Sequence, residues 1–288
     1  MSLKLDSCNS AKKNRNKCFT LSRLIAGILC LGSSMCLVSV TVAQSQHYVG
    51  IGIAPTRINV RDEGNSPLLY QGIGIRAFAL YQIQAKNSLF AVELGGQLGG
   101  IQPRLEAGSI LLPGSAQHYA AQSRLSYRRN IHTSRVWKLA AGGAWDTHTI
   151  VNYYELNSNN LVGYELNSSV AIQGHVEYTV NKYWSVQGLL QVPLVQYVSR
   201  PTSTGLVPFD DDLSVDYTQI VWGGEWGTWL RYRYVETHLS IGRKLKNYDQ
   251  AEFFYRWRAA NNRLNPALEY AYHSLGVSYH FNLNSPTP

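Results

Sequence analysis

The chain has 288 residues, a formal net charge of +8, four cysteines, 19 tyrosines and seven tryptophans. Six cations (Lys4, Lys12, Lys13, Arg15, Lys17, Arg23) and one acid (Asp6) fall in the first 23 residues, so the remainder carries only +3 (8 − 6 + 1), and no cluster of Lys and Arg interleaved with aromatics points to nucleic acid. Cys8, Cys18, Cys30 and Cys36 also lie in the N-terminal 43 residues, which excludes disulfide, thiol and cysteine-metal chemistry from the rest.

The N-terminus has the tripartite pattern of an export signal. A basic stretch is followed by the apolar run from Leu24 to Val40, and Thr41-Val42-Ala43 supplies a small-x-small cleavage pattern before the polar Gln44-Ser45-Gln46. Residues 1–43 are therefore expected to be removed, leaving a mature chain from Gln44. Leu29 and Met35, rather than small residues, precede Cys30 and Cys36, which argues against lipoprotein processing.

Beyond residue 43 no window has the continuous apolar length of a membrane helix, and the recurring signal is alternation. Val49, Ile51 and Ile53 alternate with Gly50 and Gly52. Ile73, Ile75, Ala77, Ala79 and Tyr81 oppose Gly72, Gly74, Arg76 and Gln82, and Phe90, Val92, Leu94 and Leu98 oppose Glu93, Gln97 and Gly99. The pattern recurs over 119–128, 137–146, 170–180 and 184–192, then in 235–245, 251–260 and 268–281. A period of two over these lengths means strands with one apolar and one polar or small face. Ten such segments are present.

Tight turns near Lys86-Asn87, His132-Thr133, Asn181-Lys182 and Asn247 alternate with longer polar segments, taken as 55–67, 101–115, 152–163, 200–229 and 261–266. Short turns at one end and long loops at the other is the plan of a transmembrane barrel. Tyr and Trp at many strand ends suit the two membrane interfaces. Tyr154-Glu155-Leu156-Asn157-Ser158 repeats as Tyr164-Glu165-Leu166-Asn167-Ser168, and we read the pair as a hairpin extending beyond the membrane.

The last segment, LEYAYHSLGVSYHF, places Leu275, Val277, Tyr279 and Phe281 on one face and ends on an aromatic residue. It resembles the C-terminal signal of bacterial outer-membrane proteins, and the chain as a whole is similar to small bacterial outer-membrane barrels. That resemblance implies an all-β, antiparallel barrel of about ten strands, eight or twelve being compatible, over residues 44–281, with a short tail at 282–288. It implies residence in the outer membrane after export, with outer-membrane lipids and the insertion machinery as partners. Lys86, Thr133, Lys182 and Asn247 then belong at the periplasmic rim and Asp211 outside the cell.

With apolar residues facing lipid, the inward set is Arg76, Glu93, Arg124, Arg128, Lys138, Asp146, His175, Glu177, Glu236, His238, Glu252, Arg256 and Arg258. This set could line a narrow path for a small solute or pair with itself across the lumen. If the turn after Leu245 centres on Asn247, paired residue numbers sum to 494, which puts Glu236 opposite Arg258 and His238 opposite Arg256, with a forked bond between Glu236 and Arg258. The loops at 101–115 and 200–229 are the candidate surfaces for a solute or an external partner.

The eight histidines are scattered without metal-ligand spacing, and Asp210-Asp211-Asp212 lacks the Gly and Glu spacing of a calcium loop, so neither a metal nor another cofactor is expected. One motif points elsewhere. His238-Leu239-Ser240 resembles the His-x-Ser of the outer-membrane phospholipase family, which implies a lipid hydrolase with Ser240 as nucleophile and His238 as base. Ile241 stands where that family has Asn, and parity sends Leu239 and Ile241 outward and His238 and Ser240 inward, away from lipid.

Overall fold

The computed structural model describes residues 45–63, 66–104, 114–156, 159–200, 223–245, 248–262 and 267–284. The expected export signal, Asp210 to Asp212 and Asn247 lie outside the described residues. The strands are β1 (Gln46–Asp62), β2 (Ser66–Gln84), β3 (Ser88–Pro103), β4 (Ala116–Thr133), β5 (Trp137–Leu156), β6 (Asn159–Thr179), β7 (Trp184–Ser199), β8 (Glu225–Thr228), β9 (Tyr232–Lys244), β10 (Gln250–Asn262) and β11 (Leu268–Asn282). Ten of them form a closed antiparallel barrel, shut by the pairing of β1 with β11. Closure gives every strand two partners, the condition under which strand backbone can stand in lipid.

The alternation sets what faces where. Ile51, Ile53, Ile73, Leu94, Leu98, Leu239, Phe253 and Val277 are exposed on the outer wall, while the intervening residues turn into the lumen. The ladder between β9 and β10 has the expected sum, with Glu236 opposite Arg258 and His238 opposite Arg256.

Strand lengths depart from the sequence reading. Residues 55–62, taken as loop, are strand, β1 continuing to Asp62, whereas the hairpin read from the Tyr154 and Tyr164 repeats is present, with Asn152 paired to Gly163 in β5 and β6. The turn placed at His132-Thr133 lies further on, since β4 runs to Thr133 and the Ser134 N–H bonds to the Trp137 carbonyl. Within the loop taken as 200–229, β8 pairs with Val195 to Val198 of β7. The cause is a change of phase. In the half near the termini the apolar residues of β1 point outward (Val49, Ile51, Ile53), whereas beyond Pro55 they point inward (Ile58, Val60) and the outer face carries Arg57, Asn59 and Arg61. β5 and β11 do the same, with Ile150 and Tyr154, and Leu268, Tyr270 and Tyr272, turned inward. Backbone alternation is unbroken, but the hydrophobic pattern inverts where the outer wall leaves the apolar band.

The seam has one irregularity. β1 and β11 pair over Tyr48 to Ile53 and again over Thr56 to Asp62, skipping Ala54 and Pro55, and proline has no N–H to give. Gly276 faces this gap. A Cβ there would lie 2.3 Å from the Ile53 carbonyl oxygen and 2.5 Å from the Ala54 Cβ, so the seam closes only around glycine.

Candidate functional site

The lumen is the only place where a strand can turn a charged side chain away from lipid, and the structure fills it in tiers. At the end carrying the termini and the short turns, Lys138 on β5 reaches Glu177 on β6, with Nζ 3.3 Å from Oε2. Arg128 and His175 stand in the same region, half-buried, with His175 Nε2 3.4 Å from Gln187 Oε1.

The next tier centres on Glu252. Ser278 Oγ donates to its carboxylate at 3.1 Å, His280 Nε2 lies 3.3 Å away and His238 Nε2 3.8 Å away. Phe78 and Phe254 meet edge to face beside it, their centroids 5.6 Å apart, and the His238 ring packs 5.3 Å from Phe254. Ser240 is buried, and its Oγ makes no hydrogen bond to His238. Leu239 and Ile241 are exposed on the outer wall. The His-x-Ser pair therefore lacks the nucleophile-to-base contact that acyl transfer requires and faces away from a lipid substrate.

Above this lies a network that crosses the barrel. Arg76 donates to Glu93 at 2.9 Å and to Gln122 at 2.7 Å. Glu93 also accepts from Arg256 at 2.6 Å. Asp146 accepts from Gln122 (2.6 Å), Arg124 (3.1 Å) and Arg258 (2.8 Å). Glu236 is completely buried and meets three guanidinium groups: Arg124 at 2.7 Å, Arg256 at 2.5 Å and Arg258 at 3.6 Å. Tyr234 donates to it at 2.7 Å. The expected fork between Glu236 and Arg258 is thus replaced by a shared carboxylate. Register brings Arg258 alongside, but the shorter contacts come from Arg256, further along the same neighbouring strand, and from Arg124 across the lumen, because a narrow interior puts β4 within reach of β9. Four arginines and three carboxylates make this a nearly balanced charge network, joined by charge-assisted hydrogen bonds.

Towards the loop end the lumen becomes apolar and aromatic. Ile58, Val60, Tyr70, Ile101, Ile150, Tyr154, Leu268, Tyr270 and Tyr272 form one buried cluster. His118 stays in this tier by hydrogen-bonding Asn152 at 2.7 Å and packing its ring against Tyr272. At the rim, Arg200 pairs with Asp62, and Asn262 donates to Glu165 at 3.0 Å.

All thirteen positions assigned inward from the sequence, Arg76 to Arg258, lie on the lumen side. The structure draws Arg76, Glu93, Arg124, Asp146, Glu236, Arg256 and Arg258 into one network, His238 and Glu252 into a second group, and leaves Lys138 with Glu177 near the turn end. Gln122 and Tyr234 were missed as members. Gln122 carried the signal, being polar at inward parity, whereas Tyr234 fell outside the strand as read from Val235. Ile58, Val60, Ile101 and Tyr154 of the aromatic tier lay in segments read as loop, whereas Tyr70, Tyr270 and Tyr272 lay in strands as read but were not recognised as inward-facing. A groove of about 750 Å³ lies not in the lumen but on the outer wall, lined mainly by small side chains such as Ala77, Ala79, Gly96, Ala121 and Ser123. Among the described residues no group of three His, Asp or Glu side chains is placed to hold a metal ion.

Neither a family model nor a curated protein matches the sequence. The solved structures do. The chain is similar to the outer membrane protease OmpT from Escherichia coli with a TM-score of 0.54 and 8% identity, over 85% of this chain and 99% of that one. Weaker likenesses are to the COG4313 outer membrane channel from Pseudomonas putida F1 (TM-score 0.38, 12% identity, 82% and 96% covered) and to Neisserial surface protein A (TM-score 0.32, 9% identity, 83% and 99% covered). The fold is that of bacterial outer-membrane β-barrels.

Proposed function

We propose that this outer-membrane barrel is a non-enzymatic envelope protein, with a lumen that is its structural core and loops at the end opposite the termini that are its working surface. The observation that carries this reading is the stack of two side-chain tiers across the lumen. A solute would have to part the network around Glu236 and then the aromatic cluster around Tyr270 and Tyr272, both deeply buried. The loops joining β3 to β4 and β7 to β8 are the long connections, and they supply the surface an external partner or solute would meet first.

In planar bilayers the protein is expected to give no unitary conductance steps, and release of fatty acid from labelled phospholipid is expected to match a protein-free control. Reproducible steps would replace this reading with the narrow solute channel. Fatty-acid release lost in a Ser240→Ala variant would replace it with the lipid hydrolase. Orientation has its own test. Because the chain beyond residue 43 is free of cysteine, Lys182→Cys and Leu230→Cys can be probed on intact cells with an impermeant thiol reagent. Labelling at 230 and protection at 182 are expected, and the reverse pattern would invert the topology.

A further inference from the structure

We infer that the outer wall of β1, β11, β10 and β9, where the apolar band ends towards the loops, is a docking site for the phosphorylated glycolipid headgroup of the outer leaflet. On this wall Ile53, Val277, Leu275, Phe253 and Leu239 stand exposed, as acyl-chain contact requires. Further towards the loops the outward positions of the same strands include Arg57 on β1, His273 on β11 and, beyond Thr237 and Val235, Arg233 on β9.

Register fixes how these residues lie. The row through Arg57 runs to His273, Trp257 and Thr237, so it reaches β9 four residues short of Arg233. A strand tilt of roughly 40° displaces a row by about 9 Å along the membrane normal over three strands, and four residues of β9 recover about that rise. Arg57 and Arg233 thus stand at the same depth, on the boundary of the apolar band, with His273 between them. Between the arginines the wall is low, because Ala259 and Ala271 are paired there. Tyr255 and Trp257 stand beside His273, with the Tyr255 hydroxyl 2.8 Å from His273 Nδ1, in the interfacial position aromatic side chains favour.

Charge decides the occupant. In the lumen each arginine of the central network has a carboxylate. On this wall three arginines (Arg57, Arg61, Arg233) share one acid, Glu269, whose Oε1 accepts from Asn261 at 2.6 Å while Arg61 stands 3.9 Å from Oε2. Among the described residues Arg57 and Arg233 have no carboxylate within ion-pair distance, and both are exposed sideways, towards the leaflet. A cation at that depth is left to an anion of the bilayer itself. Phosphates on a glycolipid whose acyl chains lie against Ile53, Leu275 and Phe253 satisfy charge and apolar surface together.

The inference rests on the loop end facing the outer leaflet, which the cysteine labelling decides separately. The test is native mass spectrometry of the purified barrel in detergent, offered lipid A with its phosphates, the same lipid dephosphorylated, and phosphatidylglycerol. Wild type is expected to retain the phosphorylated glycolipid at least tenfold better than either alternative. R57A/R233A is expected to lose that preference tenfold or more, R57K/R233K to keep most of it, and R135A, at the opposite end, to keep all of it. Equal retention of the dephosphorylated lipid or of phosphatidylglycerol by wild type would overturn the inference without reference to any variant. So would undiminished retention by an R57A/R233A protein with a normal heat-dependent gel shift.

Discussion

Replacing Glu236 with alanine is expected to lower the stability of the barrel by about 3–5 kcal/mol, the scale of removing one partner from a buried ion pair. The side chain has no solvent exposure, and its carboxylate is shared by Arg124, Arg256 and Arg258. Its removal changes the local count from four arginines against three carboxylates to four against two. Asp146 holds Arg124 and Arg258, and Glu93 holds Arg256, but neither can supply the second contact each guanidinium loses. Glu236→Gln keeps the shape and the acceptor oxygen while losing the charge, so its effect should fall between alanine and wild type. Ser240→Ala, on the same strand and face, removes a hydroxyl outside the Glu236 network and without a well-formed hydrogen bond, and should change stability by about 0.5 kcal/mol or less. Urea unfolding in detergent, followed by the heat-dependent gel shift, measures all three. An unchanged midpoint for Glu236→Ala would mean that water replaces the carboxylate without loss and that the lumen is wetter than its packing implies.

Gly276→Val is expected to be more damaging, costing above about 3 kcal/mol because the clash is with backbone and cannot be relieved by a rotamer change. The new Cβ would sit 2.3 Å from the Ile53 carbonyl oxygen, at the point where the first and last strands meet around Pro55, and the Phe254 ring blocks retreat into the lumen at 2.8 Å. The strands would have to separate at the seam, and an open seam leaves two edges of unpaired backbone in hydrocarbon. The expected result is a protein without a compact, fast-migrating band before heating. Gly100→Ala is the matched control, since a Cβ there meets nothing within 4 Å and should leave the band in place. A compact band from both variants would show that the seam can shift to accommodate a side chain.

What the sequence revealed followed from which solvent each residue faces. Where the outer wall meets lipid, alternation is strong enough to place Leu239 and Ile241 outward and Glu236 and His238 inward, and a single turn position then suffices to pair residues by number. Where the wall rises above the lipid, Ile58, Val60, Ile150 and Tyr154 turn inward and polar residues face out, so the same backbone yields a shifted pattern that reads as loop. Ile58, Val60 and Tyr154 of the aromatic tier were lost with those segments. Membership of the central network was partly legible because charges opposite lipid-facing residues have nowhere else to go. The partners were not. Arg124 meets Glu236 across the lumen, between strands far apart in the chain, and no local periodicity encodes that distance.

The same long reach governs how the chain can enter a membrane. Arg76 and Glu93 are 17 residues apart and Arg124 and Asp146 are 22, but Arg124 and Glu236 are separated by 112 and Glu93 and Arg256 by 163. No member comes from β1 or β11. Strands threaded one at a time would carry unneutralised arginines into hydrocarbon at roughly 2–4 kcal/mol each, on the order of 8–16 kcal/mol for four. Insertion is therefore expected to be a collective event, in which β2 to β5 and β9 to β10 come together to cancel their charges. A half-inserted chain would hold Arg256 and Arg258 without their partners from β3 and β5, so assembly is expected to be all-or-none.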